Sequence, residues 1–425
     1  MIRNLFPNTE LYRDAATLAT GTGMAQLIPI LASPVLTRIF TPAEFGVLGA
    51  FAAFCTIVVS FATGRYELAI LLPEREDRAR HVTWLSIMLT FAVSLATLLA
   101  IVLFKEPLND LMVLLDTEEL GNLMYWAPAC IASIGLYQVF SYQLNRHKRY
   151  GTIAASKFSQ AAGMTGAQLG FGFLGMGAAG LVIGRVIGDL FSWIWSGADL
   201  LRRKLLLPET FSRDTFREVA KRYENFPKVN APHALTNASS SQLPQILLLS
   251  FFSKTINGHY NLTYKVCFAP VQLVSSSVGQ VFSRRVTEKY QQEEDIHAFT
   301  KKIAGQLALV ALLPFGLLAL FAPPLFEFVF GAQWTVAGQY TQVLAPYFYM
   351  VFVVSPLVYI PNMLDRQKKA FAIEIAYLVL RLAALFLGIW LADAWLAVAF
   401  YGVAGIIIQG YLLFWILKLG REAYD

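Results

Sequence analysis

Twelve long apolar segments run through this chain, and the Lys and Arg between them fall almost entirely on one side of the series. The segments cover residues 13–36, 45–72, 82–104, 122–144, 155–177, 178–200, 231–253, 260–282, 303–325, 339–361, 369–392 and 394–417. Each reaches the roughly 20 residues that a helix needs to cross a hydrocarbon core about 30 Å thick. An even number of crossings puts both termini in one compartment.

Of the 34 Lys and Arg, 27 belong to the termini and to the connections after the second, fourth, sixth, eighth and tenth segments. Arg38, Lys105 and Lys254 fall on the other side, and Arg65, Arg185, Lys265 and Arg381 sit inside segments. The positive-inside rule therefore predicts cytoplasmic termini and cytoplasmic even-numbered loops. A content of 56% hydrophobic and 15% charged residues, with a mean hydropathy of +0.53, separates the chain from soluble domains. The net charge of +6 is accounted for by topology and anionic headgroups, so no nucleic-acid partner is expected. The first segment is too long for a cleavable signal and is expected to stay as a transmembrane helix. Cys55, Cys130 and Cys267 all lie inside segments and lack CxxC spacing; they read as small core residues, with no disulfide or metal site.

The expected fold is an all-α membrane protein of about 12 transmembrane helices in two pseudo-symmetric six-helix lobes. Residues 1–204 form the N-terminal lobe, 205–230 a cytoplasmic linker and 231–425 the C-terminal lobe. In the linker Phe216, Val219 and Tyr223 share one helical face, which predicts a short interfacial helix starting near Ser212. A faint repeat relates the halves: Leu36–Gly46 leads into the second segment, and Gln242–Tyr260 leads into the eighth. No loop on the outer side exceeds about 20 residues, too little for a catalytic domain.

Polar groups in hydrocarbon have no partner, so their spacing shows which helix face looks inward. In the second segment Thr56, Ser60, Thr63 and Glu67 follow i, i+4, i+7, i+11; on a continuous helix Glu67 would face inward and Arg65 would reach toward the headgroups. Arg185, Asp189, Ser192 and Ser196 repeat that spacing in the sixth, where opposite charges one turn apart can pair. Gly180, Gly184 and Gly188 beside them predict close helix packing. The seventh segment is the most polar, with Pro232, His233, Asn237, Ser239–Gln242, Pro244 and Gln245, and is expected to be bent or broken. Asn261, Lys265, Gln272 and, farther on, Glu374, Tyr377 and Arg381 mark one side of the eighth and eleventh segments.

Deep cations outnumber deep anions if Glu374 pairs with Arg381 and Asp189 with Arg185. A cavity so lined favours an anionic ligand such as a phosphate or acidic sugar. There is no GxxxxGK[ST] loop, HExxH helix or GxSxG elbow, so no ATPase or hydrolase engine is expected. Transport would draw on H+ or Na+ or on the substrate itself, with Glu67, Asp189 and Glu374 as carboxylates able to carry a proton.

Several stretches resemble the polysaccharide transporter branch of the multidrug/oligosaccharidyl-lipid/polysaccharide (MOP) exporter superfamily, the O-antigen and capsule repeat-unit flippases. They are Gln26-Leu-Ile-Pro-Ile-Leu31, Thr37-Arg-Ile-Phe-Thr-Pro-Ala-Glu-Phe-Gly46, Gly64-Arg-Tyr-Glu-Leu-Ala-Ile-Leu-Leu-Pro73, and Phe268–Phe282 followed by basic residues. The resemblance implies two six-helix lobes around a cavity that opens alternately to each side of a bacterial cytoplasmic membrane. Its implied cargo is an oligosaccharide on a polyprenyl pyrophosphate, moved to the periplasmic leaflet, and its implied partners are membrane lipids and other polysaccharide assembly proteins. It implies no catalytic residue and no bound cofactor; Arg65, Glu67, Arg185, Asp189, Asn237, Lys265, Gln272, Glu374 and Arg381 are the cavity-lining set. Two alternatives stand beside it: a multidrug or metabolite antiporter of the same superfamily, and a membrane polymerase or ligase acting on lipid-linked sugars.

Overall fold

The computed structural model describes residues 9–114, 117–207 and 212–422. The termini themselves, and with them the expectation of where they lie, fall outside the described residues. Sixteen helices follow one another among those described, with no strand: α1 (Thr9–Ile39), α2 (Pro42–Ala62), α3 (Glu76–Leu103), α4 (Lys105–Leu114), α5 (Glu118–Leu123), α6 (Ala127–Arg146), α7 (Tyr150–Phe173), α8 (Gly177–Arg202), α9 (Arg213–Arg222), α10 (Ala231–Phe251), α11 (Lys254–Gln291), α12 (Ile296–Phe330), α13 (Thr335–Val354), α14 (Ile360–Met363), α15 (Gln367–Trp390) and α16 (Ala394–Glu422).

Among the described residues, eight helical stretches are long and apolar enough to cross a membrane: Pro42–Ala62, Glu76–Leu103, Glu118–Arg146, Gly177–Arg202, Ile296–Phe330, Ala332–Met363, Gln367–Trp390 and Ala394–Glu422. The helices outside that set but of similar length are α1, α7, α10 and α11, of 31, 24, 21 and 38 residues. These coincide with the first, fifth, seventh and eighth apolar segments. Three of them carry polar residues at the spacings described above or below, and it is this polarity that lowers their hydropathy. Outward-facing Leu309, Leu313, Phe328 and Trp390 are among many large apolar side chains left exposed, a surface suited to lipid.

The chain divides into two compact units. The first comprises residues 1–40 and 47–242, with α7 against α8 and α1, α6 against α8, and α3 against α6 and α9. Gly184 and Gly188 of α8 allow the contact with α7: an added Cβ would lie 2.6 Å from Gln168 Cγ or 2.5 Å from Met164 Cβ. The linker helix α9 forms where the sequence places it. Ser212 caps it by accepting from Thr215 N–H at 3.4 Å, Val219 is buried, and Tyr66 donates to the Ala220 carbonyl at 3.0 Å.

The second unit comprises residues 41–46 and 243–425, built on α12 against α13, α15 against α16, and α13 against α11 and α16. It includes the first turn of α2, whose sequence Thr41-Pro-Ala-Glu44 is a capping box. Glu44 Oε2 accepts from Thr41 N–H at 2.6 Å, Pro42 occupies the first helical position, and Phe45 meets Trp334 edge-on at 5.1 Å. Gly46 lies on the Lys254 carbonyl and Gly258 on the Pro42 carbonyl, each glycine touching the residue four before the other. Asn257 Nδ2 donates to Gly46 O at 2.7 Å across the same crossing.

Two expectations are corrected. The second segment is not one helix over 45–72: α2 stops at Ala62, Gly64 and Arg65 adopt left-handed backbone (φ 61° and 59°), and Tyr66–Leu71 continues as a 3₁₀ helix. α10 is not broken; it is helical from Ala231 to Phe251 with Pro244 inside, and the irregularity is a π turn just before it, Phe226–Asn230.

Candidate functional site

Arg65 with Glu67, Arg185 with Asp189, and Arg381 mark three clusters, two in the first unit and one in the second. At the end of α2 the left-handed turn folds Arg65 back over the 3₁₀ helix. Thr63 Oγ1 donates to Glu67 Oε2 at 2.5 Å, and Arg65 Nη1 lies 3.3 Å from Glu67 Oε1. The exposures reverse those of a continuous helix: the Glu67 side chain is 2% exposed and that of Arg65 28%. Glu67 is thus an internal anchor, and the guanidinium is the group presented outward.

The second cluster repeats this arrangement on α8. Asp189, 4% exposed, lies 3.7 Å from Arg185 Nε, and Arg185 is 27% exposed. The carboxylate is held on its other sides by Gln160 Nε2 at 2.6 Å and Cys130 Sγ at 3.5 Å. Lys157 extends the chain of contacts, donating to Gln160 Oε1 at 3.1 Å while its Nζ stands 4.2 Å above the Tyr137 ring. Lys157 lies two turns inside α7 and is a further basic residue within the apolar segments, beyond the four expected there. Its i, i+3 spacing to Gln160 was the available signal.

In the second unit the expected Glu374–Arg381 pair does not form. Arg381 is 4% exposed, with no carboxylate within 4.0 Å among the described residues. Its guanidinium carbon lies instead 3.7 Å from the centre of the Tyr401 ring, 4.6 Å from that of Tyr377 and 5.1 Å from that of Tyr347. The negative ring faces take the place of a counter-ion. Tyr347 and Tyr377 share a hydroxyl hydrogen bond at 2.9 Å, while Arg381 Nε and the hydroxyls of Tyr260 and Tyr401 are buried without a hydrogen-bond partner. Arg381, Leu385 and Gly388 form the buried stripe of α15, so this largely lipid-facing helix turns its one arginine inward. Seven residues along a helix is about 10 Å of rise, which places Glu374 two turns away.

The remaining members of the cavity-lining set are not drawn into these clusters. Asn237 on α10 and Gln272 on α11 are exposed, and Lys265 and Glu374 are half-buried. Cys55, Cys130 and Cys267 are buried and free, in keeping with core packing.

The tyrosine cage gives a testable ordering. Arg381→Met, which removes a buried charge and its ring contacts together, is expected to leave the purified protein folded. Arg381→Glu, placing an anion against three negative ring faces, is expected to abolish folding. Fluorescence-detected size exclusion separates the outcomes; equal loss in both variants would show that the positive charge itself holds the unit together.

A family model described as "Polysaccharide biosynthesis protein" matches residues 35–339. No curated protein matches the chain by sequence. Among solved structures, an inward-facing multidrug resistance MATE family transporter of the MOP superfamily aligns with a TM-score of 0.72 at 11% identity, over 96% of this chain and 98% of that one. The lipid II flippase MurJ, in an inward closed conformation, aligns with a TM-score of 0.71 at 13% identity, over 96% and 89%. The Vibrio cholerae MATE transporter VcmN aligns at 0.60 and 14% identity, over 97% of both chains. At these identities the likeness is one of fold, and the fold is that of a multi-pass membrane transporter.

Proposed function

Because the chain belongs to the polysaccharide biosynthesis protein family, a polysaccharide transporter family of the MOP superfamily, we propose that it is a flippase. Its cargo is a polyprenyl-pyrophosphate-linked oligosaccharide, a repeat unit of O-antigen, capsule or exopolysaccharide. The cargo moves from the cytoplasmic to the periplasmic leaflet of a bacterial inner membrane by alternating access. In this reading α1, α7, α10 and α11 complete twelve spans with the eight apolar stretches, both termini are cytoplasmic, and residues 205–230 join two six-helix lobes.

The observation that carries the reading is the paired design of the first unit, in which a buried carboxylate fixes a quarter-exposed guanidinium. Arg65 on Glu67 and Arg185 on Asp189 are each held by neutral neighbours as well, Thr63 in one case and Gln160 in the other. A pre-oriented guanidinium suits the charge-assisted, forked binding of a phosphate or an acidic sugar. The driving ion, H+ or Na+, would act through the buried carboxylates Glu67 and Asp189. The family's tie to polysaccharide synthesis supports this cargo over a drug.

The purified protein is expected to retain lipid-linked oligosaccharide in native mass spectrometry, and cells expressing it to gain no efflux of an organic cation such as ethidium. Cation efflux without retention of the lipid-linked sugar would favour the antiporter alternative and overturn the flippase reading.

A further inference from the structure

We propose that the cavity between the α6–α7 turn and the end of α8 holds the headgroup of an anionic phospholipid. The cavity measures about 670 Å³ and is lined by Lys148, Arg149, Thr152, Trp195, Asp199 and Arg202 among others. Its one carboxylate is already engaged: Asp199 accepts from Arg203 Nε at 3.0 Å and from Thr152 Oγ1 at 3.2 Å, with Arg149 Nε 3.5 Å away. Lys148 and Arg202 have no carboxylate within 4.0 Å among the described residues, and both are exposed. The cavity therefore carries a surplus of positive charge after its internal pairing is counted. Lys148 enters it from a left-handed backbone position (φ 55°), and Gly151, in the first turn of α7, leaves open space beside it.

The apolar continuation identifies the anion as a lipid rather than a soluble phosphate. Phe191, Ile194 and Trp195 line the same cavity, stand at i, i+3, i+4 on α8, and are each about half exposed. They begin an outward stripe on a helix that is apolar enough to cross a membrane. Basic side chains at a helix end, a Trp at the interface and an acyl-facing stripe are the arrangement that receives a phospholipid, its phosphate on Lys148 and Arg202 and a chain along α8. Zwitterionic lipids match the stripe but not the surplus charge.

The test uses the full chain in detergent, titrated with phosphatidylglycerol, phosphatidylcholine or inorganic phosphate and followed by native mass spectrometry. Wild type is expected to retain one phosphatidylglycerol against a tenfold excess of phosphatidylcholine, and Lys148→Ala/Arg202→Ala to lose at least tenfold in phosphatidylglycerol affinity with phosphatidylcholine unchanged. Displacement of the lipid by millimolar inorganic phosphate would mean a free-anion site and overturn the proposal, as would equal retention in wild type and variant. Should the double variant fold poorly, bromine-labelled phosphatidylglycerol provides a second reading on otherwise unaltered protein. It is expected to quench a share of the tryptophan emission that is missing in Trp195→Phe; quenching equal in the two proteins would likewise overturn the proposal.

Discussion

Gly258→Val is expected to lower the thermal midpoint of the detergent-solubilised protein far more than Asn257→Ala at the same crossing. A Cβ on Gly258 would overlap the Pro42 carbonyl oxygen and come within 2.6 Å of its carbon, and one on Gly46 would do the same to Lys254, at 2.7 Å from carbon. Backbone atoms have no rotamer by which to escape, so the helices must separate. Overpacking of this kind costs about 3 kcal/mol or more, the upper end of its usual range. The separation also stretches the 2.7 Å bond from Asn257 to Gly46 O, whose removal alone in Asn257→Ala is expected to cost about 1 kcal/mol. Since one movement relieves both clashes, Gly46→Val/Gly258→Val should be clearly sub-additive. Gly166→Ala, where a Cβ meets open space, serves as the control and should shift the midpoint little. An unchanged midpoint in Gly258→Val would refute the crossing.

The second large effect is expected at Arg185→Ala, which leaves the 4%-exposed Asp189 carboxylate without its cation. Removing one partner of a buried pair costs about 3–5 kcal/mol, and the quarter-exposed guanidinium argues for about 3 or somewhat less. Arg185→Ala/Asp189→Asn should recover most of that loss, because the amide keeps a hydrogen-bonding group opposite Gln160 and Cys130 without a bare charge. Transport distinguishes support from cargo binding: the recovered double variant should still flip at least tenfold more slowly than wild type if the guanidinium holds the cargo. Recovery of flipping together with stability would reduce Arg185 to a structural cation.

Much of this fold was legible in the chain because membrane spans advertise themselves through length and apolarity. The ends of α8, α10, α15 and α16 lie within a few residues of the expected ones, and α9 begins at Ser212, where the polar cap and the Phe216, Val219, Tyr223 spacing placed it. The Arg185–Asp189 pair was legible too, being a contact between neighbours one turn apart. What spacing could not give was anything fixed across helices. Tyr377, one turn before Arg381 on α15, was within reach of spacing, but Tyr260, Tyr347 and Tyr401 come to the cluster from α11, α13 and α16, and no local pattern joins them to it. Periodicity also assumed an unbroken helix through Gly64 and Arg65, whose left-handed turn exchanges the roles of Arg65 and Glu67. The Thr37–Gly46 stretch stood out by resemblance and by the faint internal repeat, not by any physical signal of its own. Its physical content is a capping box, an edge-on Phe45–Trp334 contact and a glycine crossing.

As a flippase, the protein is expected to move a lipid-linked glycan between leaflets without altering it. Purified protein in sealed vesicles, loaded with a fluorescent polyprenyl-pyrophosphate oligosaccharide, tests this directly by the fraction of label accessible to a membrane-impermeant reagent over time. Accessibility should rise above that of protein-free vesicles, with product of unchanged length and with slower exchange for Arg185→Ala/Asp189→Asn. Accessibility no greater than in protein-free vesicles, or an elongated glycan, would overturn the flippase reading.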